Sequence, residues 1–212
     1  MSKVIFPPRP KGRIMPTELP RMEKMGKYIW QPKYQGSRIC INISPEGQVT
    51  SCDRHGSTHA SFHLSSQHIQ EILALPGLKK GIEYWLDGEV LIKTKAKDTK
   101  GKIVLFDILQ VGTYFFMKPV QTERLAILDE LCGFARTFDP WRGIAYKVSE
   151  NILLSPYGEQ GFAEAFKKYT NDDEVEGLVL RDKESVIDNF GQKEYETTWL
   201  IRCRRPHKNY NF

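Results

Sequence analysis

Lys33-Tyr34-Gln35-Gly36-Ser37-Arg38 lies where one short β-prone run, Tyr28–Lys33, turns into another, Ser37–Ile43. A lysine closing a strand, a glycine turn and an arginine opening the next strand suit nucleophilic work. The amine must lose its proton before it attacks, and burial with neighbouring cations lowers a lysine pKa. Arg38 is a candidate for such a cation, and its planar fork also suits phosphate or ribose oxygens. Taken alone, KxxGxR has a plainer explanation, a surface lysine ahead of a hairpin turn.

The pattern around this stretch is that of a mixed α+β chain. Gln48–Cys52 forms a hairpin with Ser37–Ile43 across Pro45-Glu46-Gly47, and Tyr84–Ile92, Lys102–Leu109, Gly177–Arg181 and Thr197–Cys203 read as further strands. Apolar residues at helical spacing predict helices over Ser65–Leu75, Thr122–Phe134 (Leu125, Leu128, Leu131 and Cys132 on one face) and Pro156–Tyr169 (Phe162, Ala163 and Phe166 inward). Strands and helices do not alternate as a βαβ array, so antiparallel sheets flanked by helices are expected rather than a doubly wound dinucleotide fold. Residues 1–22, Pro-rich and basic, are expected to run extended across the surface.

Three strands carry acids where a core strand does not want them: Trp85-Leu86-Asp87-Gly88-Glu89-Val90, Leu105-Phe106-Asp107-Ile108-Leu109 and Glu176-Gly177-Leu178-Val179-Leu180-Arg181. Such charges are expensive to bury unless they meet a metal or a cation. Each alone is an ordinary bulge or strand end; three together point to a site. In Trp199-Leu200-Ile201-Arg202-Cys203-Arg204, strand alternation sends Arg202 and Arg204 to one face, opposite Cys203. Two guanidinium groups there would clamp an anion such as a triphosphate, unless they are merely the solvated start of the basic tail, residues 205–212.

Composition narrows the classes. With 31 Lys and Arg against 26 Asp and Glu, the 212-residue chain has a net charge of +5, which suits a polyanionic partner without requiring one. The four cysteines (Cys40, Cys52, Cys132, Cys203) form no CxxC pair, which argues for reduced thiols and against a structural zinc site. No apolar run approaches the roughly 20 residues needed to cross a bilayer, and the Pro-broken start is no signal peptide, so a soluble, intracellular (cytoplasmic) protein is expected.

The ordered series KYQGSR, WLDGEV, LFDIL, EGLVLR and WLIRCR resembles motifs I, III, IIIa, IV and V of the covalent nucleotidyltransferases: DNA ligases, RNA ligases and mRNA capping enzymes. Cys52-Asp53-Arg54-His55-Gly56 resembles the short Arg-x-Gly segment that DNA ligases carry between motifs I and III. The likeness spans Gln31 to Arg204.

That resemblance implies an ATP-grasp-like nucleotidyltransferase fold and an ATP-dependent polynucleotide ligase, a DNA ligase in the first place. Nicks between 5′-phosphate and 3′-hydroxyl would be sealed through lysyl-AMP, as replication and repair require. Lys33 would carry AMP. Gln31 stands where ligases contact adenine, and Phe106 where an aromatic ring stacks on it. Arg38, Arg54 and Glu89 would lie near ribose and phosphates, and Arg202 and Arg204 would grip phosphates. Glu89 and Glu176 would hold Mg²⁺ or Mn²⁺. The implied partner is nicked double-stranded nucleic acid, with the protein a monomer. Two departures stand out: motif V has arginines in place of two lysines, and Gln35 stands where DNA ligases usually have aspartate. They keep an RNA ligase, or an inactive nucleic-acid-binding module of the same fold, as alternatives. Phe212 follows Arg204 by eight residues, so one adenylyltransferase domain over 1–212 without an OB domain is expected, of the compact kind common among viral ligases.

Overall fold

The computed structural model describes residues 5–92, 98–113, 118–135, 140–187 and 196–206. Its strands are β1 (Arg9–Ile14), β2 (Tyr28–Tyr34), β3 (Ser37–Ile43), β4 (Val49–Cys52), β5 (Tyr84–Val90), β6 (Ile103–Val111), β7 (Pro140–Trp141), β8 (Ala145–Lys147), β9 (Ile152–Leu154), β10 (Val175–Asp182) and β11 (Glu196–Arg204). Its helices are α1 (Leu19–Lys24), α2 (Ser66–Leu73), α3 (Gln121–Leu131) and α4 (Phe162–Tyr169). The N-terminal stretch expected to run extended holds β1, a 3-10 turn at Pro16–Glu18 and α1.

Two sheets result, ordered β1-β11-β10-β2 and β4-β3-β5-β6-β9-β8-β7. Both are mixed rather than purely antiparallel, because β1 runs parallel to β11 and β9 parallel to β6. The prolines obey the rule that a residue without N–H belongs at a sheet margin: Pro10 and Pro32 sit on β1 and β2, the two edge strands of the smaller sheet.

Alternation along the strands builds two cores. Ile39, Ile41 and Ile43 of β3 join Leu86, Ile103 and Leu105 under Ile72 of α2 and Leu128 and Leu131 of α3. Tyr28 and Tyr34 of β2, Leu178 and Leu180 of β10 and Cys203 of β11 pack with Leu19 of α1 and Phe162, Ala165 and Tyr169 of α4. The opposite faces of β2, β10 and β11 turn towards β3, β5 and β6, and a cleft is left between the sheets.

Helix α4 starts at Phe162, not Pro156, and turns Ala165 and Tyr169 inward instead of Ala163. Before it, Gly158 bridges the backbone of Trp30, and Gly161 takes a left-handed φ of 66°. The helix is capped from afar: the Glu23 carboxylate accepts from the N–H groups of Gly161 (2.7 Å) and Phe162 (3.0 Å). An acid at a helix N-terminus meets orphan donors and the positive end of the dipole.

Candidate active site

The cleft is a cavity of about 650 Å³, and every residue to which the resemblance gave a nucleotide or metal role lines it: Gln31, Lys33, Arg38, Arg54, Glu89, Phe106, Glu176, Arg202 and Arg204. From β2, Gln31 and Lys33 line the cleft on alternate positions, while the Tyr34 ring packs into the second core and its hydroxyl donates to the Ile144 carbonyl.

Two bulges aim the rest. In the β10–β2 ladder Val175 pairs with Tyr34 and Gly177 with Lys33, so Glu176 is an extra residue pushed out of register. Its carboxylate forms an ion pair with the Lys33 ammonium, and the Arg204 guanidinium approaches the same oxygen at 3.5 Å. Gly177 permits this: a Cβ there would lie 1.9 Å from the Cys203 carbonyl oxygen and 2.8 Å from Arg204 Cα. In the β5–β6 ladder Asp87 pairs with Asp107 and Gly88 with Leu105, which leaves Phe106 as the extra residue. Its ring turns into the cleft while its carbonyl accepts from Gln31 Nε2 at 3.0 Å.

Gly36 of the first motif is required by packing. A Cβ on it would meet the Val90 carbonyl oxygen at 2.3 Å and Glu89 Cγ at 2.8 Å. The turn after Lys33 therefore lies flat against the end of β5, with Lys33 and Glu89 on one cavity wall. Burial pushes the Glu89 carboxyl up to about 7, against the pull of Lys33 and Arg38 and with the like charges of Asp87 and Glu176 adding to the rise.

Two of the anomalous acids are not ligand groups. Asp87 is fully buried and takes both Nε (2.8 Å) and an Nη of Arg38. Asp107 is fully buried between Arg124 (3.1 and 3.3 Å) and Arg181 (2.9 Å). Burial opposes its charge, yet the two arginines hold its pKa below the ordinary carboxylate value. The cations that bury these acids come from β3 for Asp87 and from α3 and the far end of β10 for Asp107. Arg38 is the cation partner of Asp87. Three of its N–H groups go to Asp87 and the Pro8 carbonyl (2.9 Å), and its guanidinium lies 5.4 Å from the Phe106 ring centre. Arg38 thus braces Asp87 while lining the cleft, and Arg204 stands beside Lys33 at the Glu176 carboxylate.

Residues that the sequence did not flag also line the cleft. Arg181 stands 5.3 Å from the Phe106 ring centre, and Arg9 enters from β1. His55 and His59 follow Arg54 on the loop after β4, where Asp53 Oδ1 accepts from the N–H groups of His55 (2.8 Å) and Ser57 (3.0 Å). Arg181 closes the EGLVLR motif and could have been read as a site residue from it; Arg9, in the Pro-rich start, gave no such signal.

A metal can be tested against this geometry. Among the described residues no group of three or more His, Cys, Asp and Glu side chains could hold a metal ion by itself. Glu89 and Glu176 supply hard oxygen donors close to Lys33. That set fits Mg²⁺, which takes one or two carboxylates and completes its shell with water and substrate phosphates.

No family model and no curated protein sequence matches this chain. Solved structures do. A structure named Pmar-Lig_Pre superposes with a TM-score of 0.63 at 19% identity over 95% of this chain and 47% of that one. The ligase domain of M. tuberculosis LigD gives 0.63 at 13% identity, covering 96% and 60%. The ATP-dependent DNA ligase of bacteriophage T7, in complex with ATP, gives 0.56 at 12% identity, covering 96% and 69%. This is the fold of a ligase nucleotidyltransferase domain. The chain spans about half of the first of these structures and three fifths of the second. Within the ligase-type fold, the cleft between the sheets holds all five quoted motifs, which lie far apart in sequence. No helix among the described residues is long and apolar enough to cross a membrane.

Proposed function

We propose that this chain is the adenylyltransferase domain of an ATP-dependent polynucleotide ligase that joins nicked DNA, and that Lys33 is its nucleophile. One observation carries the proposal. The Lys33 amine is held by Glu176, a bulged carboxylate, inside a 650 Å³ cleft that also contains Phe106, Glu89, Arg202 and Arg204.

The purine stacks on Phe106, as flat heterocycles do on aromatic faces. Beside it Gln31 is almost wholly buried, with its amide nitrogen bound to the Phe106 carbonyl and its oxygen left without a partner. That oxygen is an acceptor suited to the adenine amino group. Arg202 and Arg204, one strand repeat apart, neutralise the phosphates, and Arg9 and Arg54 extend the positive wall. Glu176 holds the amine in place and accepts its proton. The freed nitrogen lone pair attacks the α-phosphorus, forming the N–P bond as the bond to pyrophosphate breaks. Glu89 and Glu176 would hold a Mg²⁺ ion, which supplies charge neutralisation at the phosphates when bound. AMP then passes to a nucleic-acid 5′-phosphate, and a 3′-hydroxyl displaces it to seal the backbone.

The test is covalent labelling with α-labelled ATP and Mg²⁺. Label that survives denaturation is expected on wild-type protein and not on Lys33→Ala. Unlabelled, folded wild-type protein would instead identify a nucleic-acid-binding module. Nicked DNA, a nicked RNA–DNA hybrid and single-stranded RNA assayed side by side distinguish a DNA ligase from an RNA ligase, and labelling by GTP in place of ATP would identify a capping-type enzyme.

A further inference from the structure

Cys40 and Cys52 lie 12 residues apart in sequence and directly opposite each other in the β3–β4 ladder. Directly opposed residues of an antiparallel pair have Cα atoms about 4.5–5.5 Å apart, inside the range of about 4.4–6.8 Å that a disulfide spans without moving the backbone. The two side chains also share one apolar cluster, with Cys52 packed against the group that contains Cys40. Neither is oxidised: all four cysteines are free thiols. Cys40 is fully buried in a small apolar cluster with Ile5, Trp85, Leu109 and Ile187, whereas Cys52 is half-buried at its margin. One thiol is therefore open to solvent and the other is stored directly behind it. Cys132 and Cys203 are each buried in other clusters.

We propose that Cys40 and Cys52 form a dithiol site, which closes to an intramolecular disulfide when a low-molecular-weight disulfide reaches Cys52. The chemistry balances. The Cys52 thiolate attacks one sulfur of the oxidant, forming a mixed disulfide and expelling one thiolate, which takes up a proton. Cys40 then gives its proton to solvent, and its sulfur attacks Cys52 Sγ, expelling the second thiolate. Two protein thiols are oxidised to one disulfide while the oxidant is reduced to two small thiols. The interaction with Cys40 lowers the Cys52 pKa, which favours Cys52 as the first nucleophile, and the same interaction together with burial raises that of Cys40. Such a bond would staple β4 to β3 immediately before Asp53 and Arg54, at the wall of the cleft. The inference does not depend on the ligase reading, and its test uses no nucleotide.

The native full chain is incubated with oxidised glutathione, quenched by alkylation, and mapped by mass spectrometry. The expected product has lost two hydrogens, links the Cys40 and Cys52 peptides, and carries alkyl groups on Cys132 and Cys203. Trp85 packs in the same cluster, so its fluorescence should fall on oxidation and recover with dithiothreitol. In Cys52→Ser the fluorescence change and the crosslink should both vanish, with Cys40 unmodified; Cys132→Ser should behave as wild type. A stable glutathione adduct on Cys52 without ring closure would overturn the proposal. So would a crosslink that forms only after denaturation, or no reaction at Cys52.

Discussion

Replacing Arg124 by methionine removes a cation on which the placement of Phe106 depends. Arg124 is fully buried and donates to Asp107 at 3.1 and 3.3 Å, to Gln121 Oε1 at 2.6 Å, and to the carbonyls of Pro119 and Ser185 at 3.1 and 3.0 Å. Without it, Asp107 keeps Arg181 and the Ile108 N–H, two carbonyls lose a donor, and a carboxylate remains far from water. Removing one partner of a buried ion pair costs about 3–5 kcal/mol, and methionine returns part of the packing. We expect Arg124→Met to lower the unfolding free energy by about 4 kcal/mol at pH 7. Urea denaturation measures this, with the m-value confirming a two-state transition. The sign of the pH dependence follows from the pKa. In the wild type Asp107 is held below 3.8, so its ion pairs stabilise the fold above that value and are lost as pH falls through the depressed pKa. In the variant burial dominates and raises the pKa, so the deficit should be full at neutral pH and shrink towards acid. A loss below about 1 kcal/mol, or one that does not change with pH, would refute the assignment of Asp107 as a buried structural anion.

Glu89→Gln tests a carboxyl whose pKa is raised from 4.5 to about 7. Its charged form destabilises the fold as pH rises from 4.5 through 7, so without divalent metal the variant should be the more stable above pH 7 by about 3 kcal/mol, and no different below pH 4.5. In the presence of Mg²⁺ and ATP the same variant should lose covalent labelling; equal labelling would remove Glu89 from the site. Gly177→Ala drives a Cβ to within 1.9 Å of a carbonyl oxygen, so it should destabilise by about 1–3 kcal/mol and weaken labelling by displacing Glu176. Phe106→Ala should raise the ATP concentration needed for half-maximal labelling roughly tenfold, the loss of about 1.4 kcal/mol of stacking and burial; an unchanged requirement would place the purine elsewhere. Nucleic-acid binding, measured by anisotropy, should weaken steeply between 50 and 200 mM salt, the range over which phosphate-contacting proteins lose affinity.

The sequence alone determined the strand carrying Lys33, the hairpin that follows it and the acids in β5, β6 and β10, because alternation, a glycine turn and a charge in an apolar run are local signals. It missed β7, β8 and β9, two or three residues each, and the start of α4, which depends on a carboxylate 138 positions earlier in the chain. It also could not separate the acids. Asp87 and Glu89 lie two residues apart on one strand, yet one is bound to Arg38 and the other faces the cleft. Asp107 and Glu176 look alike on paper, but two arginines bury the first, while a bulge turns the second onto Lys33. Which charge is neutralised inside and which is left for a ligand depends on where distant cations arrive, and only the closed arrangement of the two sheets fixes that.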